Sequence, residues 1–440
     1  PIYKTLQQAK RVREAWQASY FFSFIMKSIV VEAKKHGQII LPAENDDSNF
    51  YGAGIFPDRL IMSSNNEFDV NENIIKPALL EVSKKLKVKQ NLLEDFLNIH
   101  HIQIEQNTLI SFELLDDENE IISSYIHKLN YLLNVQELNI TYSNSDVEFF
   151  KDLFEDQTRK AFYDIAYQDK KHRFNSIFEI TAQGSDLIKT KVEALKNEDD
   201  IDKILFKDDE VESKLSKHQK YLAILRADGD NFGKVISAIS HDNQLVTKFS
   251  EDLVKFSQEA SKIIHEFGGT IIYIGGDDIL AFCPLVNKEK TVFQIIKTLN
   301  SKFNEIFKDE IYIDNKVSIS YGLSISYYKY PLNEALDISY DLLMNKAKNG
   351  PLKNCIAFQI LQNSGSLRET ILNFEKGENF DSFIEMLVDV NEKGQLLQSL
   401  THQLIEDENL LKECLKSNRI DGYFDNHYNP NNKKSEVKNF

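Results

Sequence analysis

Two periods of apolar residues alternate along the chain, and their order is most regular between residues 221 and 361. YLAILRA (221–227) is an almost unbroken apolar run, as in a strand covered on both faces. TIIYI (270–274) and ILAFC (279–283) are two more strands, placed around the turn GGDD. Between the first two strands Leu245, Phe249, Leu253, Phe256, Ala260, Ile263 and Phe267 return every three or four positions, which makes one face of a helix. Val292, Ile295, Ile296, Leu299 and Phe303 mark a second such face. The strand VSISYGLSIS, a helix beginning at Pro331 and the strand NCIAFQI (354–360) follow. The order β-α-β-β-α-β with one more α-β pair predicts an α+β fold, a ferredoxin-like or palm arrangement, over residues 216–362.

Residues 1–145 repeat the theme less completely. A long amphipathic helix over 5–35 precedes the strands GQIILP (37–42) and PDRLIMSS (57–64), with a polar loop of Asn45, Asp46, Asp47, Ser48 and Asn49 between them. Helical spacing returns at 72–87 and 119–134, and ELNITY (137–142) closes the unit as a strand. This is the same order without its first strand, a degenerate palm. Residues 146–215 predict a mainly helical connection ending in the charged run NEDDIDKILFKDDEVESK, a solvated face. Residues 363–440 read as helices with a polar tail.

Composition narrows the function classes. A chain of 440 residues holds two to four domains. A formal net charge of −16 has the wrong sign for gripping bare nucleic acid over the whole surface, so any such role must be local, metal-mediated or shared with basic partners. Cys283, Cys355 and Cys414 are scattered, which excludes a disulfide framework and a four-cysteine zinc site, and no zinc is expected. No apolar window has the length of a membrane span, and the start has no signal-peptide layout, so a soluble cytoplasmic protein is expected. The chain begins at Pro1, which Met removal or a lost upstream segment would each explain.

The split β-α-β order brings distant carboxylates together. The first and second strands run parallel with the third between them, so the end of the first strand and the turn between the other two share one edge. RADGDNFG puts Asp228 and Asp230 at that edge, and GGDD brings Asp277 and Asp278 to a strand about 4.8 Å away. Such carboxylates repel one another unless a cation neutralises them, and hard oxygen donors select Mg²⁺ or Mn²⁺. Two such ions would serve an in-line displacement at phosphorus that releases pyrophosphate. Gly275 and Gly276 permit the tight turn and the approach of a triphosphate to the backbone.

Plainer readings stand beside this one. GGDD alone is a turn signal, and DGDN alone is a β-to-α turn with Asp230 or Asn231 capping the next helix. Lys348 and Lys353 suit a helix C-terminus through its dipole, and equally suit the β- and γ-phosphates of a nucleotide. His100 and His101 have no nearby ligand set, and the His241-Asp242 dipeptide lacks the further ligands of a phosphohydrolase site. Only the two acidic motifs at matching corners of one fold argue together for chemistry.

These residues resemble the large polymerase/cyclase subunit of type III CRISPR effector complexes, most closely its Cmr-type (III-B) form. The resemblance rests on RVREAWQASYFFSFIM (11–26), FPDRLIM (56–62), RADGDNFGK (226–234), YIGGDDIL (273–280) and YYKYPLNEALDISYDLLMNKAK (327–348). It implies an RNA-guided complex in which target RNA switches this subunit on to make a nucleotide second messenger from ATP, usually cyclic oligoadenylate. It further implies Asp228, Asp277 and Asp278 as catalytic metal ligands, with Gly229, Asp230 and Asn231 bordering the nucleotide. Two departures matter. The family's HD nuclease segment and its zinc cysteines are absent from this sequence, so cleavage of single-stranded DNA by this chain is not expected. HD-less relatives look able to join AMP to another acceptor, such as S-adenosylmethionine, and the acceptor stays open. A diguanylate cyclase shares this palm, but GGDD in place of GGDEF, the lack of an RxxD motif before the turn and the second palm-like half speak against it. A scaffold subunit with a relict GGDD is the non-enzymatic alternative.

Overall fold

The computed structural model describes residues 11–43, 57–115, 124–138, 146–167, 175–183, 213–288, 290–349, 353–361, 367–374, 380–384 and 407–417, with four isolated positions besides. The chain divides into a unit of residues 1–371 and a unit of residues 372–440.

The larger unit opens with the helix Val12–Ala33 and a two-stranded antiparallel pair, β1 (Gln38–Leu41) and β2 (Ile61–Ser63). The widened turn Asn71–Ile75 leads into the helix Lys76–Leu86, and the helices Gln90–Phe96, Gln106–Ser111 and Tyr125–Glu137 follow. In the first half only one pair of strands appears among the described residues. Glu137, read from the sequence as the start of a strand, is the last residue of a helix, and 139–142 lie outside the described residues. The connection is helical at Asp146–Leu153, Asp156–Tyr167 and Ile177–Thr181, while most of its charged run also lies outside them.

The central sheet is built on β3 (Tyr221–Asp230), β4 (Thr270–Gly275) and β5 (Asp278–Pro284). A small pair, β6 (Val286–Asn287) and β7 (Lys290–Thr291), precedes β8 (Ser318–Tyr327), β9 (Cys355–Leu361) and β10 (Leu367–Asn373). The six long strands lie in the order β10-β9-β8-β3-β5-β4. β3 runs antiparallel to both β5 and β8, and β4 antiparallel to β5, so β5 lies between two parallel strands as the split β-α-β order requires. β10 corrects the sequence reading of residues 363–440 as helices with a polar tail. Its ILN end offers too short an apolar pattern to mark a strand before the sheet edge pairs it. In the smaller unit Phe374 packs on Phe380, and the helix Glu408–Lys416 agrees with the expectation.

Each face of the sheet is covered. Trp16, Phe21 and Ile25 of the first helix share one buried core with Leu222, Ile224, Leu280 and Phe282 of the sheet and with Leu332 and Leu336 of the helix Leu332–Asp341. Because side chains alternate along a strand, this is also the face of Arg226, Asp228 and Asp278. The odd positions Ala223, Leu225 and Ala227 are buried on the other side. There the helices Asn243–Glu266 and Val292–Ile306 meet through Phe256 and Phe303, whose ring centres are 5.1 Å apart.

Candidate active site

β3 continues to Asp230, so ADGD belongs to the strand and the turn begins only at Asn231. Asn231 is left-handed, with φ of 65°, a conformation Asn tolerates better than other residues with a Cβ. It precedes the helix Phe232–Ile239 without a side-chain cap and donates instead to the Lys316 carbonyl at 2.8 Å. Gly229 is sterically required: a Cβ there would lie 2.1 Å from the Phe232 ring and 2.5 Å from Asp277 Oδ2.

The GGDD turn is fixed from three sides. Gly276 has φ of +70°, and its carbonyl accepts from Ser257 Oγ at 2.9 Å. Gly229 N–H donates to Asp277 Oδ2 at 2.9 Å, which ties the turn to β3. A Cβ on Gly275 would fall 1.9 Å from the hydroxyl of Tyr273, so this glycine makes room for a neighbouring ring whether or not a phosphate approaches it.

Asp278 opens β5 one step beyond the rung Ala227–Ile279, on the same face as Asp228. Burial pushes the Asp278 carboxyl up to about 7; the Arg226 guanidinium opposes the rise, and the charges of Asp277 and Asp58 add to it. Burial also raises Asp277, to about 6, against the hydrogen bonds from its own N–H and that of Gly229. The half-buried Tyr273 phenol lies well above its ordinary value through desolvation, with the charges of Asp278 and Asp58 contributing.

Lys348, at the end of the widened turn Leu342–Ala347, reaches into this cluster. Its ammonium pairs with Asp228 Oδ2 and donates to the Gly229 carbonyl at 2.8 Å. Burial and the neighbouring Lys353 push it down to about 8. Lys353 is exposed and donates to Asn231 Oδ1 at 3.3 Å. Asp230 is treated differently from its neighbours. It is fully buried, and its Oδ2 accepts from Ser318 Oγ at 2.8 Å, Ser320 Oγ at 2.7 Å and the Asn354 N–H at 3.2 Å.

Sequence reasoning missed Arg226, Asp58 and Ser257. Arg226 lies two residues before Asp228, and strand alternation could have put it on the same face; it is buried and bonds Ser339 Oγ at 3.0 Å. Asp58 comes from the first half, and only the packing of that half on the sheet brings its charge near Asp278. The dipeptide His241-Asp242 proves to be a helix start, with Asp242 Oδ1 accepting from Gln244 N–H at 2.8 Å. His100 and His101 are half-buried and stand outside this cluster.

The donor set suits a hard divalent ion, because two carboxylates raised by burial and mutual repulsion are relieved by a cation. Asp228 is engaged by Lys348 and Asp277 by an amide. As they stand, no group of three or more His, Cys, Asp or Glu converges among the described residues. Asp228 and Asp278, on adjacent strands and one face, would hold an ion once Lys348 turned away.

A sheet of this order, with acidic residues at the end of its central strand and on the adjacent hairpin turn, defines a palm domain. Residues 221–357 match the family model for the second palm domain of Cas10/Cmr2. Over 180 residues, 36% of this chain and 20% of the relative, the sequence is 34% identical to the CRISPR system Cmr subunit Cmr2 of Pyrococcus furiosus. The match therefore spans a fifth of that curated relative. Among solved structures, the type III-B Cmr-beta complex in its apo state contains a chain of the same fold. Its TM-score is 0.60 at 13% identity, over 93% of this chain and 74% of that one. Cmr-beta bound to cognate target RNA gives a TM-score of 0.55 at 12% identity, over 96% and 77%.

Proposed function

We propose that this chain is the nucleotidyl-transferring palm subunit of an RNA-guided type III CRISPR effector complex. In this reading target RNA switches on synthesis of a nucleotide second messenger from ATP. The observation that carries it is the meeting of Asp228, Asp277 and Asp278 with Lys348 at one end of a Cas10/Cmr2-type palm sheet. The product is cyclic oligoadenylate, or AMP joined to another acceptor such as S-adenosylmethionine. Other subunits of the complex, the guide RNA and the target RNA are its partners, and a chain of net charge −16 leaves most RNA contacts to basic subunits.

Asp228 and Asp278 would hold Mg²⁺ or Mn²⁺, with Asp277 beside them; when bound, such ions acidify an attacking hydroxyl and neutralise charge on the phosphate oxygens. Gly229 N–H keeps Asp277 turned toward β3, and Arg226 offsets part of the charge of Asp278. Lys348, released from Asp228, is placed to meet the phosphates, and Lys353 and Asn231 border the same edge. The acceptor oxygen bonds to the α-phosphorus as the bond to pyrophosphate breaks, and the acceptor proton leaves to solvent.

Mass spectrometry of products made from ATP by the target-bound complex, with and without S-adenosylmethionine, tests both reaction and acceptor. The parent should consume ATP only with target RNA, and the Asp277→Ala, Asp278→Ala variant should lose at least about 100-fold in rate while still assembling and binding RNA. Equal turnover by parent and variant would leave the chain a scaffold, and RNA-independent turnover of GTP alone would make it a diguanylate cyclase.

A further inference from the structure

Asp230 was read from the sequence as a border of the nucleotide, yet it is among the most buried polar side chains of the sheet. All its bonds go sideways, to β8 through Ser318 and Ser320 and to the backbone of Asn354, the residue before β9. Asn354 is left-handed, with φ of 62°, and its N–H also donates to Ser320 Oγ at 3.1 Å, so the entry to β9 is bound at a single point. That entry follows directly on Lys353. Each of four consecutive residues therefore holds a different piece of the site: Asp228 and the Gly229 carbonyl hold Lys348, the Gly229 amide holds Asp277, Asp230 holds Asn354 and Asn231 holds Lys353.

We propose that Asp230 is a positioning residue that registers the entry to β9 at Asn354, and with it Lys353 one residue before, against the metal-binding end of β3. The proposal rests on the nucleotidyl-transfer reading above. Only Oδ2 works as an acceptor, while Oδ1 is buried with no hydrogen-bond partner among the described residues. An amide can do the same work: the oxygen of Asn takes the three donors, and its NH₂ group replaces the oxygen that bonds nothing. A carboxylate that ligates a divalent ion directly loses, in that exchange, the charge that holds the ion.

The test compares Asp230→Asn, Asp230→Ala and Asp228→Asn in the target-bound complex. Kinetics with ATP are measured alongside hydrogen exchange of the 353–361 amides. Asp230→Asn should keep kcat and KM within about threefold, whereas Asp230→Ala should raise KM for ATP about tenfold with kcat within about threefold, as expected for lost hydrogen bonds that position a binding group. Exchange at 353–361 should quicken in the alanine variant only. If Asp230→Asn is as inactive as Asp228→Asn, Asp230 is a ligand and the proposal falls. It falls equally if the alanine variant leaves both KM and exchange unchanged. Should the parent itself turn over no nucleotide, the functional reading fails, and the exchange rates alone decide whether Asp230 registers the entry to β9.

Discussion

At the scale of single residues the site is a set of carboxylates kept in an unfavourable place. Asp278, raised to about 7, and Asp277, raised to about 6, both bind protons more readily in the folded protein than in the unfolded chain, where a carboxyl titrates near 3.9. A folded pKa above the unfolded one means stability is lost as pH rises through this interval and is regained on acidification. Without divalent ions, Asp278→Asn should therefore be more stable than the parent by on the order of 2 kcal/mol at pH 8, with the difference shrinking to nothing near pH 4. Denaturant unfolding of the two proteins across that pH range checks it, and a pH-independent difference would refute the charge argument. The opposing guanidinium of Arg226 keeps the penalty from being larger. Which carboxylate is raised most was not legible in GGDD, because burial and the distances to Arg226 and Asp58 are properties of packing.

Among the elements, the helix Leu332–Asp341 and the widened turn Leu342–Ala347 matter most, since they deliver Lys348 to the end of β3. They approach the sheet at Gly322 of β8, where a Cβ would lie 2.5 Å from the Ser339 carbonyl oxygen and 2.6 Å from the Leu343 amide nitrogen. Both obstacles are backbone and cannot swing aside. Gly322→Ala should cost about 1–3 kcal/mol and reduce turnover through displacement of Lys348, read by thermal unfolding and by ATP kinetics together. An alanine variant with the parent's melting temperature would show that the helix can shift without loss. The strands and long helices were legible from apolar period because each has one or two buried faces of sufficient length. β10 was not, and neither was the reason for Gly275, which is the ring of Tyr273 two residues earlier.

For the molecule as a whole, the first half and the palm sheet of the larger unit are not separable layers. Trp16 is fully buried, stacks on Tyr20 with ring centres 4.9 Å apart, and belongs to the same core as Leu222 and Phe282 of the sheet. Trp16→Ala should cost about 3–5 kcal/mol and lower the unfolding of both halves together. Calorimetry combined with hydrogen exchange in β3 and β5 reads this directly, and unchanged protection in those strands would show that the halves unfold separately. The core also explains how Asp58, far from GGDD in the sequence, comes to influence Asp278.

The sequence alone determined the strand and helix order of the palm, the meeting of ADGD with GGDD at one edge, and the lysines near them. These follow from local period, turn chemistry and the alternation of side chains along a strand, all of which act over a few residues. Tertiary structure decided the rest: that Asp230 is turned into the sheet, that Lys348 rather than open solvent faces Asp228, and that Arg226 and Asp58 set the charge around Asp278. Burial and electrostatic coupling depend on distances through space, and residues remote along the chain acquire those distances only when the core closes.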